Sequence, residues 1–200
     1  MTASFPTVSV LVVGVGGQGA ITAARVIGEA AMASGLPVRI GQIHGMSQRG
    51  GSVESTVVIG PGDSPFLPLR GADVVVALEP LELLRARPRL HPGSRVAVSR
   101  AHIVPTPMAL QGAEYPDPDG IFDTIRPLVA DLVAVDGRAL ASDGGGSGPI
   151  NAAMLGVLAS QSWLPFAGDA VLAQFEQRSP PKYLESNRRA FAAGRGAMTS

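Results

Sequence analysis

A glycine-rich segment near the N-terminus has the residue types and spacing of a phosphate-binding turn. Residues 14–19 read Gly-Val-Gly-Gly-Gln-Gly and lie between an apolar run at 8–13 and an alanine-rich segment that begins at Ala20. Glycines let a backbone approach a ligand closely, and the amides at the start of a helix attract phosphate. Glycines that only allow a strand and a helix to pack closely would give the same pattern. If a ligand binds here, we expect contacts from Gly14, Gly16, Gly17, Gln18 and Gly19.

The residues that follow do not favour NAD as that ligand. An NAD site usually has an acidic residue about 20 positions after the glycines, where it holds the ribose hydroxyls. The corresponding segment, 38–42, reads Val-Arg-Ile-Gly-Gln and contains no Asp or Glu. Arg39 could meet the additional phosphate of NADP, so the identity of a phosphate ligand stays open at this point.

A second polar segment, 44–51, reads His-Gly-Met-Ser-Gln-Arg-Gly-Gly and lies between two apolar runs. Arg49 precedes two glycines, so its guanidinium would be held close to the backbone, where it can bind a carboxylate or a phosphate. An ordinary surface loop with one incidental arginine is the alternative. As a substrate or interface site, the segment would use His44, Ser47, Gln48, Arg49, Gly50 and Gly51.

Two further polar residues stand at the ends of predicted elements. Asn151 follows a Gly-Pro pair at the start of a predicted helix, so its side chain could either donate to a ligand or cap that helix. Glu79 ends a predicted strand, where α/β sheets place ligand groups, but it precedes Pro80 and could simply begin a helix. We count Asn151 with the glycines of 14–19 as a candidate cofactor-binding residue.

The composition excludes several kinds of site. The 200 residues include no cysteine, three histidines and a single lysine. The chain therefore cannot hold a cysteine-ligated iron–sulfur cluster, and we expect no metal site in it. Acidic and basic residues number 16 each, which argues against binding of nucleic acid or an anionic membrane. The uncharged N-terminus and the short apolar run at 8–13 predict a cytoplasmic protein.

Alternating strands and helices predict an α/β fold in a single three-layer domain over residues 1–200. The sheet should be largely parallel, with helices on both faces. Residues 42–51 and 104–120 are expected to be loop or irregular, and 143–148 a glycine-rich turn. We predict strands at 8–13, 37–40, 53–59, 73–78, 95–98 and 132–135. We predict helices at 20–34, 79–88, 121–130, 149–160, 168–177 and 181–194.

The two N-terminal motifs together resemble a known family. Gly-Val-Gly-Gly-Gln-Gly at 14–19 and His-Gly-Met-Ser-Gln-Arg-Gly-Gly-Ser-Val at 44–53 are similar to motifs of the gamma-type domain of the 2-oxoacid:ferredoxin oxidoreductases. The likeness is greatest to the beta subunit of the indolepyruvate branch. Ala-Leu-Glu-Pro at 77–80 and Asn-Ala-Ala-Met-Leu-Gly at 151–156 also look like the family's pattern.

The resemblance implies a role in an oxidative decarboxylation. Enzymes of this family decarboxylate a 2-oxoacid on thiamine diphosphate, pass electrons through iron–sulfur clusters to ferredoxin, and capture the acyl group with coenzyme A. The expected substrate is an aryl pyruvate such as indolepyruvate. A related enzyme for pyruvate, a branched-chain oxoacid or 2-oxoglutarate is the alternative, as is an unrelated nucleotide-binding module.

The residues present limit this chain to the small subunit of such an enzyme. No cysteine is available for the [4Fe-4S] clusters, and Ser-Asp-Gly at 142–144 lacks the first glycine of a thiamine diphosphate motif, with Asn151 following too soon. We therefore expect no catalytic residue here. The resemblance places thiamine diphosphate, magnesium and the clusters on a larger partner subunit, through which ferredoxin would be reached. It leaves this chain with contacts to coenzyme A, whose pyrophosphate suits the turn at 14–19.

Overall fold

The computed structural model describes residues 6–44, 51–143 and 149–197 of the chain. Their centre is a six-stranded sheet in the order β2-β3-β1-β4-β5-β6. The strands are β1 (Val8–Val15), β2 (Val38–His44), β3 (Ser52–Ile59), β4 (Val74–Ala77), β5 (Arg95–Ser99) and β6 (Asp131–Val135).

The sheet is mixed and mostly parallel, which confirms the predicted α/β fold. Strand β1 pairs in parallel with β4, β4 with β5, and β5 with β6. Strand β3 is the exception, because it runs antiparallel to both of its neighbours, β1 and β2. A parallel pair needs a crossover of a dozen or more residues, whereas only seven residues separate β2 from β3. The short connection therefore fixes the reversed direction of β3.

Helices cover both faces of the sheet, as predicted. The helices are α1 (Ala20–Ala33), α2 (Pro80–Arg85), α3 (Thr106–Leu110), α4 (Pro118–Ile125), α5 (Gly137–Asp143), α6 (Ile150–Ser160), α7 (Gly168–Arg178) and α8 (Leu184–Gly196). One apolar core joins α1, α5, α6, α7 and α8 to one face of the sheet. A second core on the other face includes Leu83 of α2 and Phe122 of α4. The result is the expected three-layer arrangement.

Three sequence predictions of local structure were wrong. Residues 42–44 are not loop, since they extend β2 and pair with 53–55 of β3. The segment 104–120 contains α3 and the start of α4, where the Asp117 side chain accepts from the amide of Asp119 and Pro118 occupies the first helical position. Helix α5 was missed although Asp136 accepts from the amides of Arg138 and Ala139 and so caps it. In all three places, short-range pairing or capping outweighs the irregular composition.

Proline also shortens two predicted helices. The segment 79–88 is helical only to Arg85 and then forms a short 3-10 turn at Arg87–Arg89, and α4 gives way to a similar turn at Arg126–Leu128. Pro88 and Pro127 lie inside these turns and cannot donate a helical hydrogen bond. In the part of the chain that is described, no helix is long and apolar enough to span a membrane.

Candidate functional site

The turn 14–19 lies at the carboxyl end of β1, beside the carboxyl end of β4. From β1 the chain passes through α1 to β2 on one side, whereas from β4 it passes through α2 to β5 on the other side. The connections therefore diverge between β1 and β4. In open α/β sheets, ligands bind in the crevice at such a point.

Gln18 holds this turn in shape. Its side-chain Oε1 accepts from the backbone amide of Val15 at 2.7 Å, and its Nε2 donates to the main-chain oxygen of Leu78 at 3.1 Å. A Cβ on Gly14 would lie 3.1 Å from the Cβ of Leu78 and from Oε1 of Gln18. Gly14 and Gln18 thus fasten the turn to the end of β4, and the Gln18 amide is committed within the protein.

The two glycines with left-handed backbones differ in their surroundings. Gly17 has φ +102° and Gly19 has φ +86°, values that side-chain-bearing residues rarely adopt. A Cβ on Gly19 would lie 2.3 Å from Nδ2 of Asn151, so packing requires a glycine there. A Cβ on Gly17 would meet no atom within 4 Å. Gly17 therefore borders open space, where a ligand can approach the backbone.

The N-terminus of α1 opens at this turn without a side-chain cap. Gly19 occupies the N-cap position, makes no side-chain hydrogen bond, and no acidic residue lies in the first turn. The first intrahelical bond is donated by Ala23 to Gly19, so the amides of 20–22 have no acceptor within the helix. The positive end of the helix dipole is left for an anion.

A cleft of about 420 Å³ lies beside this helix terminus. Its volume is within the range typical of small-molecule sites. One side is formed by Gly17–Gly19 with Thr22 and Asn151, and the other by residues around the ends of α7 and α8. The latter include Arg178, Ser179, Tyr183 and Asn187.

Asn151 connects α6 to the glycine turn. Its Nδ2 donates to the main-chain oxygen of Gly19 at 3.2 Å. It does not cap α6, because the N-cap residue is Pro149 and makes no side-chain hydrogen bond. The side chain is 4% exposed, and its Oδ1 is buried with no hydrogen-bond partner among the described residues. Asn151 thus supports the turn and retains one free acceptor.

Arg178 lines the cleft, but its charge is already compensated. Its Nε and Nη2 donate to the two carboxylate oxygens of Glu29 at 2.6 and 2.5 Å. The hydrogen bond from Arg178 holds the pKa of Glu29 below its ordinary value. The pair ties α1 to α7, and it leaves the backbone amides of α1 as the uncompensated positive groups of the cleft.

The first and last residues of the second motif, His44 and Gly51, lie near the first motif. Ser47, Gln48, Arg49 and Gly50 lie outside the described residues. His44 ends β2, with its backbone paired to Val53 of β3. The main-chain oxygen of Gly51 accepts from the amide of Gly16 at 2.8 Å. The two motifs, about 30 residues apart in sequence, therefore meet at the carboxyl end of β1.

A buried polar cluster at the end of β4 was only partly foreseen. Glu79 is 1% exposed, and its Oε2 accepts from the amide of Glu82 at 3.0 Å, so it caps α2. Its Oε1 accepts from the hydroxyl of Tyr115, whose oxygen accepts in turn from the amide of Leu81 at 3.1 Å. Burial, and then the Glu79 carboxylate, raise the pKa of Tyr115. Of the two roles considered for Glu79, the capping role is the one that its contacts show.

Sequence reasoning missed the α7–α8 side of the cleft altogether. Ser179, Tyr183 and Asn187 lie about 160 residues after the glycine turn and belong to no recognisable motif. Only the packing of α6, α7 and α8 on one face of the sheet brings them there. Among the described residues, no group of three or more His, Asp or Glu side chains is placed to hold a metal ion.

Comparison with protein families identifies the family of the chain. Residues 9–197 match the family model described as pyruvate ferredoxin/flavodoxin oxidoreductase. The chain belongs to this family, as a gamma-type domain. The match extends over almost the whole chain and includes the turn, the α1 helix and the α7–α8 side of the cleft.

Curated relatives of this family cover the chain almost end to end. It is 36% identical over 186 residues to the indolepyruvate oxidoreductase subunit IorB of Archaeoglobus fulgidus, covering 93% of this chain and 92% of that protein. It is 34% identical over 189 residues to the subunit of the same name from Methanothermobacter thermautotrophicus, covering 94% and 96% respectively.

Solved structures support the fold. The gamma subunit of a keto/oxoacid ferredoxin oxidoreductase from Geobacter sulfurreducens superposes with a TM-score of 0.68 at 23% identity, covering 96% of this chain and 99% of that one. The 2-oxoglutarate:ferredoxin oxidoreductase from Magnetococcus marinus, solved with 2-oxoglutarate, coenzyme A and succinyl-CoA bound, gives 0.70 at 17% identity. This chain covers 31% of that longer protein.

Proposed function

We propose that this chain is the small subunit of an indolepyruvate:ferredoxin oxidoreductase. The complex would decarboxylate an aryl pyruvate, transfer the acyl group to coenzyme A and pass two electrons to ferredoxin. The observation that carries the proposal is the near full-length similarity, at 34–36% identity, to two archaeal proteins named as indolepyruvate oxidoreductase subunits. Membership of the family places the chain in a 2-oxoacid oxidoreductase, and the indolepyruvate specificity is the proposed part.

The partner would be a larger, cytoplasmic subunit that holds thiamine diphosphate, magnesium and the [4Fe-4S] clusters. The absence of cysteine supports this division, since clusters of this kind are held by thiolates. Within the complex, the segment 44–51 with Arg49 would face either the partner or the entrance to the active site. Residues 1–200 would act as one gamma-type domain.

Coenzyme A is the ligand that we propose for the glycine turn. Its pyrophosphate would lie at the uncapped N-terminus of α1, where Gly17 leaves the backbone open. Of the residues predicted from the sequence to bind it, Gly17, Gln18, Gly19 and Asn151 line the cleft beside this terminus. When bound, coenzyme A supplies the thiol that takes up the acyl group. Gly14 and Gln18 also support the turn, because the Gln18 side chain is hydrogen-bonded to Val15 and Leu78.

The decisive experiment is purification of the native chain with its associated proteins. We expect a larger subunit to co-purify, with iron and thiamine diphosphate in the complex and indolepyruvate-dependent reduction of a viologen dye that requires coenzyme A. The chain purified alone should show neither visible iron–sulfur absorbance nor dye reduction. Dye reduction by the chain alone would refute the proposal. A complex that prefers pyruvate, 2-oxoglutarate or a branched-chain oxoacid would refute only the indolepyruvate specificity.

A further inference from the structure

Asn187 in α8 presents a buried acceptor beside the cleft. Its side chain is 7% exposed, and its Oδ1 has no hydrogen-bond partner among the described residues. The residue lines the cleft together with Asn151, whose Oδ1 is also buried and unpartnered. A buried polar atom without a partner is unfavourable, so two of them beside one cleft indicate groups that a bound molecule satisfies.

The hydrogen bonds of its neighbours fix the orientation of the Asn187 amide. Nδ2 of Asn187 donates to Oγ of Ser179 at 2.9 Å, while the Ser179 hydroxyl donates to the main-chain oxygen of Phe175 at 2.8 Å. The hydroxyl proton is thus already used. A flipped amide would place Oδ1 against an oxygen with no proton to give. The oxygen of Asn187 is therefore the atom left without a partner.

The cleft offers both hydrogen-bond donors and buried acceptors to a ligand. The α1 side offers backbone amides, which are donors, at the positive end of the helix. The α8 side offers the Asn187 oxygen, which is an acceptor. Arg178 also lines the cleft, but its charge is neutralised by its bidentate pair with Glu29. A ligand that suits both sides carries phosphate oxygens and, separately, an N–H or O–H donor, which a bare phosphate or pyrophosphate lacks.

We propose that Asn187 determines the specificity of this cleft by accepting a hydrogen bond from an amine or hydroxyl of a nucleotide whose phosphates lie at the N-terminus of α1. The inference deepens the proposed coenzyme A role of the glycine turn and depends on it for the position of the phosphates. It adds a recognition residue from the C-terminal helices, 168 positions after the turn ends at Gly19.

Calorimetric titration of the full-length chain with ADP and with inorganic pyrophosphate tests the proposal. We expect ADP to bind at least tenfold more tightly than pyrophosphate. The variant Asn187→Ala should lose about tenfold in affinity for ADP and keep that for pyrophosphate. Ser179→Ala removes the same Asn187–Ser179 hydrogen bond but leaves the acceptor in place, so it should lose less affinity for ADP than Asn187→Ala does.

Ligand analogues then identify the donor and need no variant. If the adenine amine is the donor, IDP, which has a carbonyl at that position, should bind the parent chain about as weakly as ADP binds Asn187→Ala. If the ribose 2′-hydroxyl is the donor, 2′-deoxy-ADP should instead be the analogue that binds the parent chain weakly. Full affinity for both analogues, ADP no tighter than pyrophosphate, or an equal loss of both ligands in Asn187→Ala would overturn the proposal. None of these results requires the partner subunit, so each is distinguishable from failure of the oxidoreductase assignment.

Discussion

Gly17 and Gly19 belong to one motif but have different structural roles. Gly19 is required by its contact with Asn151, whereas Gly17 combines a left-handed backbone with open space. The packing interpretation of the motif therefore accounts for Gly14 and Gly19. It leaves Gly17 as the position at which ligand binding can be tested without disturbing a neighbour.

Gly17→Asp should weaken coenzyme A binding more than Gly17→Asn does. Both changes put a branched polar side chain on the same left-handed backbone, so their conformational costs are similar, but only Asp adds a negative charge at the helix N-terminus. The charge is worth about 1–2 kcal/mol there, or about a five- to thirtyfold rise in the apparent KM for coenzyme A. The measurement is steady-state turnover of the assembled complex. Equal KM values for the two variants would favour a purely structural turn.

Arg49 lies outside the described residues, so its role stays a prediction. Lysine keeps the charge but loses the planar fork of the guanidinium, so Arg49→Lys should impair the complex nearly as much as Arg49→Ala. A charge-assisted bidentate pair would contribute about 1.5–3 kcal/mol. Size-exclusion chromatography reports assembly, and dye reduction reports turnover of the assembled complex. Parent-like behaviour of both variants would make the segment 44–51 an ordinary surface loop.

The Tyr115–Glu79 hydrogen bond predicts a loss of stability at alkaline pH. Burial and the adjacent carboxylate raise the pKa of Tyr115 above its ordinary value of 10.0, so the folded protein retains the hydroxyl proton where the unfolded chain releases it. The stabilisation is complete below pH 10 and decreases as the pH rises above it. Tyr115→Phe should lower stability by about 1–3 kcal/mol at pH 8 and lose this alkaline dependence.

Urea unfolding at pH 8 and at pH 10.5 measures that effect. Tyr183→Phe, which removes the hydroxyl of a half-exposed tyrosine, is the control for the change of residue type. If Tyr115→Phe unfolds with the same pH dependence as the parent, the hydroxyl does not interact with Glu79 as described.

At the scale of elements, α6 and α8 pack through glycine. A Cβ on Gly156 of α6 would lie 2.0 Å from the main-chain oxygen of Phe191, and one on Gly194 of α8 would lie 1.9 Å from that of Ala153. The two backbones are therefore close enough that no larger residue fits without separating the helices. Helix α8 also carries Asn187, one of the residues that line the cleft.

Gly156→Ala should lower the free energy of unfolding by about 1–3 kcal/mol, because the added methyl group forces α6 and α8 apart. Gly120→Ala in α4 is a matched control, since a Cβ there meets nothing within 4 Å. Alanine is the better helix former, so the control should gain about 0.5–1 kcal/mol. Chemical denaturation of both variants measures the difference. A Gly156→Ala protein as stable as the parent would contradict the close packing.

The elements that could be predicted are those whose signal is local. Strands β1 and β4 appear in the sequence as continuous apolar runs because both of their faces are buried. The extension of β2 through His44 could not be recognised in this way. It exists because β3 folds back and supplies partners for residues of mixed polarity.

The residues of the candidate site likewise include some with a local sequence signal and some without one. The glycine turn has a local signature, and the resemblance of two motifs placed it in its family. Asn187 and Ser179 have no such signature, because their place in the cleft depends on how three helices pack at one end of α1. Tyr115 was hidden for a similar reason, since its partner Glu79 lies 36 positions earlier in a different element.

At the scale of the whole molecule, the Glu29–Arg178 pair joins the N-terminal helix to the C-terminal helices. The pKa of Glu29 is lowered, so the pair stabilises the fold above pH 4.5, and the contribution is lost as the pH falls below that value. Both side chains are partly exposed, which limits the contribution to about 1 kcal/mol or less. Glu29→Gln should show this deficit at pH 7 and match the parent near pH 3.

Urea unfolding at the two pH values tests this prediction. Asp123→Asn serves as the control for loss of one negative charge, since Asp123 is exposed and makes no ion pair with a described residue. A Glu29→Gln deficit that persists unchanged at pH 3 would show that the carboxylate contributes through packing rather than through its charge.

The reversed direction of β3 has a consequence for how this subunit can diversify. Because β2 and β3 form a hairpin, the connection between them starts and ends at the edge of the sheet where the glycine turn lies. Lengthening a flexible connection costs only about 0.6 kcal/mol for each doubling. Insertions and deletions between 44 and 51 can therefore alter what this edge recognises while the pairing of every strand is preserved. The segment can therefore change in sequence and length to suit a new substrate or partner while the fold of the domain stays the same.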